Sequence, residues 1–97
     1  MTTPTLHPGP AGARLMLKTL YRLQWEPAQD AHVLLYPEGM VKLNQSAAEI
    51  LKRCDGTRDI ETLIDDLQKA FNVPDLGGEV RSFVAEAERR GWLETAK

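Results

Sequence analysis

Few residues in this chain carry reactive side chains, and their spacing decides what chemistry they can do. The histidines are His7 and His32, and the one cysteine is Cys54. A nucleophilic triad or a zinc site needs more convergent groups than two distant imidazoles and one thiol. His32 lies in a strand-like run, where a partly exposed imidazole is expected. Cys54 falls on the apolar stripe of a helix and reads as a small core residue. Its neighbours Lys52 and Arg53 project from other faces of that helix, so neither activates the thiol. A single cysteine also excludes an internal disulfide. Asp65 and Asp66 are adjacent on a helix and diverge by about 100°, so they do not converge on one cation. Gly77-Gly78 lacks the spacing of a phosphate-binding loop and reads as a flexible helix entry. These residues specify a binding module that uses no metal or cofactor, and no enzyme.

Composition narrows the partners. The 97 residues carry 12 Lys plus Arg against 14 Asp plus Glu, for a net charge of −2. A domain that gains its affinity by neutralising phosphates is normally basic. Apolar residues make up 42% and charged residues 27%, as in an ordinary globular domain. No apolar run approaches the ~20 residues that span a bilayer, and no basic start leads into a secretory signal. A cytoplasmic protein with no membrane contact is the expectation.

The elements that position these residues follow from periodicity. Pro4, Pro8 and Pro10, with Gly9 and Gly12, mark a segment that buries no core. Residues 13–20 form a turn or two of helix or lie extended against the domain. Residues 1–20 are thus expected to be a flexible tail or linker, and residues 21–97 the folded domain. Tyr21, Leu23 and Trp25 alternate with polar residues, which is the period of a half-buried strand, and Pro27 ends it. A second strand runs from His32 to Tyr36. Pro37-Glu38-Gly39 forms a tight turn in which glycine takes the unusual dihedral. Met40, Val41, Lys42 and Leu43 form a short third strand.

Three helices follow. Ser46 and Glu49 have the spacing of a capping box, with Ala47, Ile50, Leu51 and Cys54 as the apolar stripe and Gly56 as a left-handed stop. Asp59 caps the second helix, whose stripe is Ile60, Leu63, Ile64, Leu67 and Phe71. Asp75 caps the third, with Leu76, Val80, Phe83, Val84 and Ala87 as its apolar stripe, and Gly91 closes it. Trp92 and Leu93 fold back on the core. The fold class is α+β: a winged helix-turn-helix-like arrangement of three antiparallel strands followed by three helices.

Such a shape has two uses. One is DNA binding through a helix in the major groove. Against it, the third helix balances Arg81, Arg89 and Arg90 with Glu79, Glu86 and Glu88, and no basic stripe appears. A DNA-binding winged-helix regulator is therefore the alternative function. The other use is the edge of the sheet, where a peptide adds as a further strand. Residues 40–43 lack proline and lead directly into a helix, so they are a candidate edge beside a groove. That edge is either open to a peptide or covered by other parts of the chain. Replacing Val41 by proline is expected to weaken peptide binding by removing a ladder donor.

The runs Tyr21-Arg22-Leu23-Gln24-Trp25-Glu26-Pro27, Leu35-Tyr36-Pro37-Glu38-Gly39-Met40-Val41-Lys42-Leu43 and Ser46-Ala47-Ala48-Glu49-Ile50-Leu51 closely resemble the PqqD family, as do Cys54-Asp55-Gly56 and Arg90-Gly91-Trp92-Leu93. The resemblance covers residues 21–94. It implies a peptide chaperone in the biosynthesis of pyrroloquinoline quinone. Such a chaperone binds the precursor peptide PqqA and presents it to the radical S-adenosylmethionine enzyme PqqE, which joins a glutamate to a tyrosine. The family belongs to the recognition elements of modified-peptide pathways, in which a leader peptide adds to the third strand against the third helix. Carried onto this sequence, the strand is Met40, Val41, Lys42 and Leu43. The groove wall is drawn from Val80, Arg81, Phe83, Val84, Ala87 and Glu88. The segment before Tyr21 resembles an interdomain linker, consistent with the fusion of some PqqD domains behind PqqC.

Overall fold

The computed structural model describes residues 12–96. Its elements are β1 (Arg14–Leu17), β2 (Arg22–Glu26), β3 (Ala31–Tyr36), β4 (Gly39–Lys42), α1 (Gln45–Lys52), α2 (Ile60–Phe71), α3 (Gly77–Arg89) and β5 (Leu93–Ala96). The α+β class holds: β2, β3 and β4 form a three-stranded antiparallel sheet in that order, followed by three helices.

Alternation decides which face of the sheet is covered. Leu23, Leu34 and Val41 stand opposite one another across the three strands and pack toward the helices. Gln24, Val33 and Lys42 form the next row, on the opposite face. Leu34, Leu51, Leu63 and Leu93 are fully buried and join the two layers. Burying a leucine contributes about 1.5–3 kcal/mol, so this small set carries much of the stability.

Four local expectations change. Asn44, not Ser46, caps α1, because Asn44 is the residue with extended backbone and its side chain accepts from the Ala47 amide at 2.8 Å. Gly56 lies beyond the end of α1; its left-handed φ of 89° aims its amide at the Leu15 carbonyl, 2.9 Å away. Asp75 is itself left-handed, at φ 58°, and gives α3 no side-chain cap. Gln68 of α2 takes that role by accepting from the Leu76 amide at 2.9 Å. Gly39 is not left-handed, so its expected dihedral is not used in the turn. Asp59 does cap α2 through the Thr62 amide at 2.9 Å. Gly91, at φ 82°, closes α3 in a Schellman motif, with Trp92 donating to Ala87 and Gly91 to Glu88.

The start of the folded unit also moves. Residues 14–17 take the extended alternative against the domain and are not tail: β1 pairs antiparallel with β5, Leu15 opposite Thr95 and Leu17 opposite Leu93. The Leu15 amide donates to the Arg58 carbonyl at 2.9 Å, and Leu15 is 4% exposed. Four residues are too few to display a period, and their partner strand stands at the other end of the domain. The tail expected over residues 1–11 lies outside the described residues.

Candidate functional site

The edge of β4 is set by one hydrogen bond. The Leu43 amide donates to the His32 carbonyl at 3.0 Å. Facing residues in an antiparallel pair exchange bonds at every second position. With Leu34 opposite Val41 and Tyr36 opposite Gly39, the residues bonded to β3 are Gly39, Val41 and Leu43. Met40 and Lys42 therefore turn their amides and carbonyls away from the sheet. This corrects the role expected of Val41: its amide holds the sheet together, and the outward donors belong to Met40 and Lys42. Side chains follow the same alternation. Val41 is half-buried against the core and Leu43 is buried, whereas Met40 and Lys42 are exposed.

On α3 the six expected groove residues separate into three groups. Val80, Val84 and Ala87 are buried and form the core stripe. Arg81 and Glu88 are seven residues apart, hence on one flank, and Arg81 is ion-paired with Glu61 of α2. Burial pushes the Glu88 carboxyl above its ordinary range. Phe83 lies across the stripe on the other flank, half-buried, its ring centroid 6.5 Å from that of Trp92. Glu79 shares that flank.

The Phe83 flank borders a cleft of about 580 Å³. Its other walls are Ser46 and Ile50 of α1, which continues directly from β4, and Phe71 and Val73 at the end of α2. Phe71 and Val73 are 43% and 42% exposed, so this floor is apolar and open. Phe71 was expected in the buried stripe. It is the last residue of α2, and the left-handed Asn72 turns the chain away before anything covers it. The clue to its exposure is the position one residue before an asparagine stop.

Charges around the cleft fix the helices. Arg53 reaches Glu49 at 2.9 Å and Asp66 at 3.2 Å, and its guanidinium lies 5.7 Å from the Phe71 ring centroid. Hydrogen bonds from Arg53 and Lys52 hold the Glu49 carboxyl below its ordinary range. Asp65 pairs with Lys69 while Asp66 takes Arg53 and Arg58, so the two adjacent carboxylates diverge as expected. Burial pushes the Cys54 thiol up to about 12 and its Sγ donates to the Ile50 carbonyl, which leaves no nucleophile there. Among the described residues no three His, Cys, Asp or Glu side chains gather at one point. Both arginines of α3 and the Arg90 that follows it are ion-paired, Arg81 with Glu61 and Arg89 and Arg90 with Glu86. No helix among the described residues is long and apolar enough to cross a membrane.

The fold is a small α+β domain in which β4 is an edge strand of the three-stranded sheet. Residues 31–93 match the family model described as coenzyme PQQ synthesis protein D (PqqD), and the chain belongs to that family. Curated relatives named PqqA binding protein include one from Pseudomonas syringae pv. syringae, 53% identical over 75 residues that span 76% of this chain and 80% of the relative. Another, from Pseudomonas aeruginosa, is 46% identical over 95 residues, 97% of this chain and 98% of the relative. The fold matches the solution structure of the PqqD part of Methylobacterium extorquens PqqCD with a TM-score of 0.68 and 24% identity, covering 82% of this chain and 87% of the other. That structure is described as a functional, stand-alone recognition element for ribosomally made, post-translationally modified peptides.

Proposed function

We infer that this chain is a non-catalytic, cytoplasmic peptide chaperone of pyrroloquinoline quinone biosynthesis. It binds the precursor peptide PqqA by strand addition to β4 and delivers it to the radical S-adenosylmethionine enzyme PqqE. The observation that carries this is the outward pair of backbone groups at Met40 and Lys42, on an edge strand that leads through Leu43 and Asn44 into α1, whose Gln45 and Ser46 line the apolar cleft. The names of the relatives support the choice of peptide. An added strand gains its affinity and register from those backbone groups. Alternate peptide side chains then fall on the Val41 face, toward the helices and Phe83. The others fall beside Met40 and Lys42 in solvent. Phe83 on this reading belongs to the groove, Val80, Val84 and Ala87 support it from the core, and Arg81 and Glu88 brace α3 from the other flank.

Amide spectra of isotope-labelled protein titrated with unlabelled PqqA test this. Shifts are expected at residues 40–43, at Ser46 and around Phe83. Shifts confined to β2, or to the Arg81 flank, would overturn the assignment.

A further inference from the structure

A second recess borders α1 beside the apolar cleft. Trp25 stands opposite His32, and the Leu43 amide bonds to the His32 carbonyl, so these three residues form one row across the sheet. By alternation their side chains lie on the helix-facing side, with Leu23, Leu34 and Val41. α1 covers the Leu43 end of the row and leaves the Trp25 end open: Leu43 is 6% exposed and Trp25 49%. The Trp25 ring is set edge-on to His32, with centroids 5.1 Å apart. A cavity of about 430 Å³ remains between Trp25 and α1, where Ala48 forms the wall. Ser46 and Ile50 of the same helix line the cleft instead.

Charge decides what this recess can hold. Asp30 and Glu49 border it, and no lysine or arginine does. Lys52 and Arg53 neutralise Glu49 from outside. Asp30 is in no ion pair among the described residues. An unpaired carboxylate beside an exposed indole suits a planar cation, which stacks on the ring and donates to the oxygens at once. We propose that the recess receives an arginine side chain of a polypeptide partner. The guanidinium stacks on Trp25 and donates to the Asp30 carboxylate, and the aliphatic stem lies over Leu43 and Ala48.

A lysine ammonium offers no plane to the indole and no fork to the carboxylate, so arginine is the better fit. Free arginine fits less well than arginine within a chain. Its own carboxylate would lie near Asp30 and Glu49, with no cation in the lining to hold it. A peptide backbone carries no such charge. The recess is separate from the outward groups of β4, so it stands whether or not PqqA is the ligand there.

Titration of the isotope-labelled full chain with the capped tripeptide acetyl-alanyl-arginyl-alanine amide tests this. The indole N–H signal of Trp25 is readily assigned, because Trp92 is the only other tryptophan. Saturable shifts are expected at that signal and at the Asp30 amide, with a dissociation constant of about 1–10 mM, as suits a single anchoring side chain. The same tripeptide with citrulline, a neutral copy of arginine, is expected to bind about fivefold more weakly or worse. Free arginine is also expected to bind more weakly than the capped peptide. Asp30→Asn keeps a residue that tolerates the left-handed backbone at φ 50°, so the turn survives while the charge is lost. It is expected to weaken binding about fivefold, and Trp25→Leu about threefold. Circular dichroism confirms that both variants remain folded. No saturable shift of the Trp25 indole up to about 20 mM peptide would overturn the proposal. So would equal binding of the citrulline peptide, tighter binding of free arginine, or indifference to either substitution.

Discussion

The Leu43 amide and the His32 carbonyl, 3.0 Å apart, set the phase of the whole sheet. From that bond it follows which residues hold β4 in place and which face outward. The two sets respond differently to proline. Lys42→Pro removes an outward donor, so PqqA affinity is expected to fall about five- to tenfold, the worth of one backbone hydrogen bond, with melting temperature little changed. Val41→Pro removes a bond within the sheet and is expected to cost about 1–3 kcal/mol of stability. Calorimetric titration with synthetic PqqA, paired with thermal melts, separates the two.

The two flanks of α3 are also distinguishable. Phe83→Ala removes the aromatic wall of the cleft and is expected to weaken PqqA binding about tenfold. Arg81→Ala breaks only an exposed ion pair, worth about 0–1 kcal/mol, and leaves affinity within about twofold. Fluorescence anisotropy with labelled peptide measures both. Equal effects would remove the distinction between the flanks.

β1 belongs to the folded unit, and its loss has a measurable cost. Leu15→Ala empties a buried site and is expected to destabilise by about 2–5 kcal/mol, lowering the melting temperature by about 10 °C or more. A chain beginning at Tyr21 uncovers β5 and is expected to melt lower still. Unchanged melting in either case would place β1 outside the cooperative fold.

Acid sensitivity follows from the cap of α2. Hydrogen bonds from Thr62 hold the Asp59 carboxyl below its ordinary range. The folded value lies under the unfolded one, so this stability is complete above the unfolded value, about pH 4, and is lost as pH falls through the folded value. Asp59→Asn keeps a capping oxygen but no longer titrates. Its melting temperature is expected to decline less steeply below about pH 4 than that of the parent chain. Parallel declines would show that the cap carries no acid dependence.

What was legible in the sequence was whatever repeats locally. The alternation of Tyr21, Leu23 and Trp25 marked a strand, and the stripe of Leu63, Ile64 and Leu67 marked α2. Gly91 and Asp59 announced their caps because each acts on residues within one turn. What was not legible depends on contacts between distant segments. β1 takes its partner from the other end of the chain, and Gln68 caps a helix eight residues on. The expected groove residues shared one helix and their spacing separates the flanks, but what each flank meets is decided by Glu61 on α2 and Trp92 beyond α3. The outward groups of Met40 and Lys42 depend on register, which four residues do not encode.

The ladder between β1 and β5 joins the first and last strands of the fold. During synthesis β1 leaves the ribosome long before β5 exists, and until then only the segment around Gly56 and Arg58 offers its backbone a native partner. Closing so long a loop is the entropically slowest contact in the domain. During refolding the amides of the β1–β5 ladder are therefore expected to gain protection from exchange after those of the β2–β3–β4 sheet.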